Sequence, residues 1–169
     1  MPKTSRRLRL LAGLAALAAL AAGLPFPAAQ AATAITTLSV TAQVTTACHI
    51  ISNNLDFGAY SGAELDTTTT LSAVCSNGTP YNVGLNQGSS TGATVTSRKM
   101  TGPSADTLSY ALFQDSGRTT NWGDTIGTDT VSGAGDGVVQ TLTVYGRVPA
   151  AQFVETGAYE DTITVTLTF

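Results

Sequence analysis

From Thr33 onward the chain alternates apolar residues with Thr and Ser at a period of two. Leu38, Val40, Ala42 and Val44 fall on one side of an extended chain, and Thr37, Ser39, Thr41, Gln43 and Thr45 fall on the other. This is the pattern of a half-buried strand, because successive side chains of a strand point to opposite faces. The alternation returns at Leu71, Ala73 and Cys75, at Tyr81, Val83 and Leu85, at Leu108, Tyr110 and Leu112, and at Leu142 and Val144. Its cleanest instance is the segment 161–169, where Ile163, Val165, Leu167 and Phe169 share one face and Thr162, Thr164, Thr166 and Thr168 the other. β-Branched residues suit such a pleated surface. Turn signals separate the runs: Ser52-Asn53-Asn54, Ser76-Asn77-Gly78, Asn86-Gln87-Gly88, Asp115-Ser116-Gly117 and the Gly-rich stretch 132–137, which reads as a single loop. No helical periodicity, internal repeat or long linker interrupts them after residue 31. The pattern predicts an all-β, antiparallel, immunoglobulin-like sandwich of about seven strands.

The first residues are of another kind. Lys3, Arg6, Arg7 and Arg9 precede Leu10–Leu24, fifteen residues without a polar side chain, and then come Pro25-Phe26-Pro27 and the small-residue run Ala28 to Ala32. A basic start, a short apolar stretch and an Ala-x-Ala site describe a secretory signal peptide over residues 1–31, cleaved after Ala31. Fifteen residues fall short of the roughly 20 that cross a hydrocarbon core, so no membrane anchor is expected after cleavage. The full chain of 169 residues has 8 basic and 11 acidic side chains, a formal net charge of −3. Residues 1–31 hold four of the basic and none of the acidic side chains, which leaves 138 residues with four against eleven and a formal charge of −7. Such an acidic chain does not suit nucleic-acid binding.

Cys48 and Cys75 are the only cysteines, and an even pair in an exported chain reads as a disulfide. In the chain-entropy model it contributes roughly 3 to 4 kcal/mol. A metal or redox role would call for Cys-x-x-Cys or supporting histidines, and the only histidine is His49, beside Cys48. No metal, cofactor or catalytic residue is therefore expected, and the chain is read as a non-enzyme. Asp124, Asp129 and Asp136 lack the spacing of a calcium loop and read as turn residues, and Trp122 and Tyr60 read as core or loop anchors.

The two ends pose a pairing problem. The sequence closes on a long regular strand with no successor to cover its neighbour, while about sixteen residues ahead of Cys48 continue the strand pattern outward. One solution is that the segment near 33–44 pairs with the body of another copy by strand addition.

A set of motifs in order along the chain points the same way. Leu55-Asp56-Phe57-Gly58-Ala59-Tyr60, Cys75-Ser76-Asn77-Gly78-Thr79-Pro80-Tyr81, Arg98-Lys99-Met100, Leu108-Ser109-Tyr110-Ala111-Leu112-Phe113 and Trp122-Gly123 come first. Tyr145-Gly146-Arg147-Val148-Pro149-Ala150-Ala151-Gln152 and Gly157-Ala158-Tyr159-Glu160-Asp161 follow. Together they resemble the spore coat protein U domain family, which includes the pilin subunits of archaic chaperone-usher pili of the Csu type. The resemblance spans essentially the whole chain after the leader. It implies an immunoglobulin-like fold that lacks its last strand. It also implies a periplasmic chaperone that lends one, and an outer-membrane usher that exchanges the loan for the N-terminal extension of the next pilin subunit. On that reading residues 32–44 are the donor strand, with Leu38, Val40, Ala42 and Val44 as anchors, and residues 45–169 are the β-sandwich domain. Cys48 and Cys75 form the staple, and Ile163, Val165, Leu167 and Phe169 line the acceptor groove and anchor the chaperone. The function so implied is that of a secreted structural pilus subunit, in the periplasm in transit and then in a cell-surface fibre that supports attachment and biofilm formation. The alternatives are a secreted spore-coat or matrix protein and a carbohydrate-binding sandwich module.

Overall fold

A computed structural model of the protein describes residues 30–169. The leader expected at 1–31 lies, but for its last two positions, outside the described residues. Met1–Thr41 and Ala42–Phe169 form separate units. In the first, residues 30–41 carry neither helix nor strand and are exposed. In the second, residues 42–47 are likewise exposed and outside any strand. The half-buried strand expected through Leu38, Val40, Ala42 and Val44 is therefore absent. Alternation supplies a face, but a strand also needs a neighbouring edge to take up its N–H and C=O groups.

Eight strands follow: β1 (Cys48–Ser52), β2 (Leu65–Cys75), β3 (Pro80–Leu85), β4 (Arg98–Thr101), β5 (Thr107–Phe113), β6 (Val131–Ala134), β7 (Gln140–Val148) and β8 (Val165–Thr168). A single 3₁₀ turn, Pro103–Ala105, joins β4 to β5. The strands form a five-stranded sheet, β1-β2-β7-β5-β4, and a three-stranded sheet, β6-β3-β8. Every strand pair is antiparallel. The longest ladder sets Leu65–Ala73 of β2 against Gln140–Val148 of β7.

The sandwich follows from the alternation. Leu71, Ala73 and Cys75 of β2, Val144 and Val148 of β7, and Leu108, Tyr110 and Leu112 of β5 turn inward from the large sheet, to meet Tyr81, Val83 and Leu85 of β3 and the indole of Trp122. Among the intervening residues Ser72, Asn82, Ser109 and Arg147 are polar and partly exposed, while Val74 and Ala111 are apolar but only partly covered. Two strands were not expected. β6 overlaps the Gly-rich stretch read as a loop, and Gly133 is there for packing: a Cβ would lie 2.5 Å from the Tyr81 ring. β4 carries Arg98, which is fully buried.

Arg98 shows how a cation reaches a core. Its Nε donates to the Asn86 carbonyl at 2.8 Å, Nη1 to Val95 at 2.7 Å, and Nη2 to Leu85 at 2.8 Å and Trp122 at 2.7 Å. Four carbonyls beyond the ladders thus find donors on one planar fork. Burial draws the guanidinium below its ordinary pKa, and nearby groups including the Asp124, Asp161 and Asp129 carboxylates oppose that shift. Trp122 completes the arrangement, its Nε1 donating to the Val83 carbonyl at 2.9 Å.

Arg98→Ala is expected to destabilise the domain by about 3 to 5 kcal/mol in urea denaturation, because several buried carbonyls lose their donor at once. Arg98→Lys is expected to fall between that variant and the wild type, since one ammonium cannot span the four acceptors.

Candidate functional site

The two sheets do not close on each other at every side. β8 pairs with β3 alone, from Asn82↔Thr168 to Leu85↔Val165, and β1 pairs with β2 alone, from Cys48↔Cys75 to Ser52↔Leu71. Both strands are edges of their sheets, and they touch across the gap between the layers. Behind the gap Val83 and Leu85 of β3 are fully buried. At the gap Cys48 and Ile50 from β1, and Ile163, Val165 and Leu167 at β8, are only half covered. The threonines between them, Thr162, Thr164, Thr166 and Thr168, are exposed.

Three of the four residues assigned to the groove are therefore brought together. Phe169 is not with them: it stands past the ladder and is 58% exposed. The strand expected over 161–169 is in a ladder only at Val165–Thr168. Ahead of it, isolated backbone bonds at Thr164 and Glu160 are joined by side chains that stand in for a strand partner. Asn86 Oδ1 accepts from the Thr164 N–H at 2.9 Å. Asp161 accepts from the Ser89 N–H and hydroxyl, each at 2.8 Å, and from the Tyr110 hydroxyl at 2.7 Å. Burial and the Asp161 carboxylate push the Tyr110 phenol well above its ordinary range.

The four residues read from the sequence as the donor strand are all exposed. Leu38, Val40 and Val44 are 87%, 84% and 90% exposed, and Ala42 is exposed as well. The root of the extension is firmly held. The Ser76 N–H donates to the Ala47 carbonyl at 2.9 Å, the Ala47 N–H donates to Ser76 Oγ at 3.1 Å, and Cys48 is disulfide-bonded to Cys75, its register partner.

A second feature escaped the alternation argument. The chain after β1 and the chain before β8 enclose a cleft of about 640 Å³, lined by Leu55, Phe57, Tyr60, Met100, Val154 and Tyr159 over the buried Leu108 and Val148. Neither wall is a strand, which is why period two did not reveal it, although both carry family motifs. Phe57 packs edge-on against Tyr110, ring centroids 5.9 Å apart. Gly146 of β7 admits it, since a Cβ there would lie 2.8 Å from both Leu55 and Phe57. Gln152 bonds Ser109 through both the N–H, at 2.8 Å, and the C=O, at 2.9 Å. It thereby acts as a one-residue strand where β7 has ended. The Tyr60 hydroxyl donates to the Pro149 carbonyl at 2.7 Å. Asp106 accepts from the Glu155 N–H at 2.8 Å.

The other sequence candidates serve the fold. Asp129 accepts from the Thr125 N–H at 2.7 Å, Asp136 from the Val138 N–H at 3.0 Å, and Asp124 is exposed. His49 is an exposed residue of β1. Among the described residues no helix is long and apolar enough to cross a membrane.

An edge of this kind offers unpaired backbone groups above a row of apolar side chains at the two-residue period, which is what an added strand takes. The model of the Spore Coat Protein U domain matches residues 34–166. The chain belongs to that family. The match begins ahead of β1, within the exposed extension. Among its relatives, Protein U of Myxococcus xanthus is 38% identical over 161 residues, 85% of this chain and 89% of that protein. Among solved structures, one chain is similar at 25% identity and a TM-score of 0.55, over 75% of this chain. It comes from the CsuC-CsuE chaperone-tip adhesion subunit pre-assembly complex of archaic chaperone-usher Csu pili of Acinetobacter baumannii. The present chain covers 40% of that chain's length.

Acid should loosen the domain through three carboxylates. Asp66 is held below the ordinary carboxylate range first by its hydrogen bond from Arg147, Asp106 by the Glu155 and Thr107 N–H groups, and Asp115 by the Thr120 and Thr119 N–H groups. A depressed folded pKa contributes stability that is complete above the ordinary value near 3.8 and is lost as pH falls through the folded values. The thermal midpoint is therefore expected to change little on their account from neutrality to about pH 5 and to fall below about pH 4. Asp106→Asn is expected to remove part of that fall and to speed amide exchange at Glu155.

Proposed function

We propose that the protein is a structural subunit of a secreted pilus, assembled by the chaperone-usher route through donor-strand exchange. One observation carries the reading: a single chain holds both a half-covered apolar edge and an exposed apolar row of the same period. Ile163, Val165 and Leu167 at β8 and Ile50 of β1 are half-covered at two neighbouring free edges, and Leu38, Val40, Ala42 and Val44 are exposed outside any ladder. Residues 32–44 of one copy lie along the gap of the next, residues 45–169 are the domain that receives them, and residues 1–31 direct export.

The energetics support a durable joint. Burying Leu38, Val40 and Val44 is worth about 1.5 to 3 kcal/mol each, and each backbone hydrogen bond adds about 0.5 to 1.5 kcal/mol. The sum is set against an association cost of about 4 to 15 kcal/mol. A lent strand is needed until the exchange, which is the part of a periplasmic chaperone, and an outer-membrane usher is where the exchange takes place. The similarity to a chain of a chaperone-subunit complex supports these partners, and Phe169, exposed beyond the ladder, is free to anchor the chaperone. Surface attachment and biofilm formation are the uses that such a fibre serves. The relationship to Protein U favours one second reading, a secreted coat or matrix protein that polymerises by the same exchange.

Deleting residues 32–44 is expected to leave a folded, disulfide-bonded domain that no longer extends fibres, as seen by light scattering and electron microscopy of the exported protein. Val40→Asp is expected to weaken assembly by about tenfold or more, because a charge would enter an apolar gap. Fibre length unchanged by the deletion would reject the donor-strand assignment.

A further inference from the structure

We propose that the junction between the extension and β1 is built to keep a chain's extension out of its own gap, which leaves the gap for another copy; this rests on the strand-exchange reading above. The argument is one of parity. Ala47 is fixed to Ser76 through its N–H and its carbonyl, at 3.1 and 2.9 Å, and Cys48 is bonded to Cys75. Any turn that led the extension back along the free edge of β1 must therefore end at or before Thr46, and one that ends there keeps the longest pairing; nowhere in 32–46 is there a Gly, Asn or Asp to build it.

Cys48 and Ile50 of β1 pack on the core, while His49 and Ile51 are exposed. Residues directly opposite in an antiparallel pair share a face, so the length of the turn decides which face of the extension goes inward. A two-residue turn at Thr45-Thr46 sets Gln43 opposite Cys48 and Thr41 opposite Ile50. The polar face goes in, and Leu38, Val40, Ala42 and Val44 go to water. A four-residue turn has the same parity. A three-residue turn at Val44-Thr45-Thr46 restores the apolar face, with Ala42 opposite Cys48 and Val40 opposite Ile50. It requires a left-handed residue at its end, and β-branched Thr46 is a poor occupant of that region. A five-residue turn consumes Ala42 and Val44 themselves. The segment Val44-Thr45-Thr46 holds no Gly, Asn or Asp, so the turns it forms most easily face the wrong way and the turns that face correctly lack their residue.

The test uses three full chains expressed for export with residues 1–31 in place. They are the wild type, a chain lacking 32–44, and a chain in which deletion of Val44 is combined with Thr45→Asn and Thr46→Gly, which supplies a two-residue Asn-Gly turn of the correct parity. Each is measured by light scattering, by its thermal midpoint and by titration with a fluorescent peptide of residues 32–44. The wild type is expected to form multimers, and the chain lacking 32–44 to take up the peptide. The turn variant is expected to be a monomer of raised midpoint whose peptide uptake is weaker by about tenfold or more, because its own strand fills the gap. A turn variant that multimerises, binds the peptide as well as the chain lacking 32–44, or melts no higher than that chain overturns the proposal. So does a wild type that is monomeric and refuses the peptide, since its extension would already occupy its own gap. Failure of the chain lacking 32–44 to take up the peptide, with its disulfide and thermal transition intact, sinks the strand-exchange reading itself and the junction proposal with it.

Discussion

The open edge depends on β3, because β3 is the only strand to which β8 is laddered. A three-stranded sheet has one central strand, and here both of that strand's neighbours are edges. What fixes β3 is supplied from outside its sheet. The Trp122 indole binds the Val83 carbonyl, and Arg98 binds those of Leu85 and Asn86. The Leu85 N–H donates to the Gly123 carbonyl at 2.8 Å. A buried cation is costly unless all its donors are used, and the four carbonyl contacts of Arg98 meet that condition while tying β4, the 85–86 turn and the Trp122 segment into one unit. The chain then leaves β3 through Asn86, whose side chain takes up the Thr164 N–H. The edge at β8 is thus preformed by a core that would exist without any partner.

An apolar edge open to water is a liability, and several features limit it. β8 keeps only four residues in register, its outer face is Thr, and Glu160 and Asp161 stand immediately ahead of its last turn of alternation. Short edges and nearby charge both discourage indiscriminate pairing. The disulfide works at the other flank. By fixing Cys48 against Cys75 it holds β1, which has a single ladder partner, at the side where an added strand would find its second neighbour. On the strand-exchange reading, these features fit the edge to one extended segment that is apolar at every second residue.

Much of this was legible in the sequence, and the parts that were not have physical reasons. β2, β3, β5 and β7 follow the alternation because each has one face on the core and one on water, the condition under which period two carries information. β4 was hidden because Arg-Lys-Met-Thr buries its charged residue, and the acceptors that make this possible come from positions 85, 86, 95 and 122, which no periodic pattern links. β6 was hidden because glycine signals a turn as readily as a contact; Gly133 yields to the Tyr81 ring and Gly135 to the backbone of Cys75 and Ser76. The extension carries the pattern without forming a strand within its own chain. Its alternation is as regular as that of β8, but pattern specifies a face and says nothing of whether the chain itself provides a surface for it. Ile163, Val165 and Leu167 keep the alternation into β8, whereas Phe169 lies past the end of the ladder. The cleft beside Leu55 and Tyr159 has irregular walls held by Gln152 and Asp106, and side-chain bonds of that kind leave no periodic trace.

Charge adds a last constraint on how two such domains can approach. Residues 48–169 carry eleven acidic and four basic side chains, whereas 32–47 carry none. Like-charged bodies repel over a screening length of about 8 Å at physiological ionic strength. Thirteen extended residues reach about 43 Å at roughly 3.3 Å per residue. If residues 32–44 are the donor strand, an uncharged extension of that length meets a neighbouring edge while the bodies are still several screening lengths apart, so the encounter does not begin against the net repulsion of the two domains. Repulsion is felt only as the strand seats and draws the bodies together, by which point the apolar row is being buried. Under the proposed strand exchange, the division of this chain into a neutral arm and an acidic body separates recognition from repulsion, and the strength of the joint is left to the fit between Leu38, Val40, Ala42 and Val44 and the receiving edge.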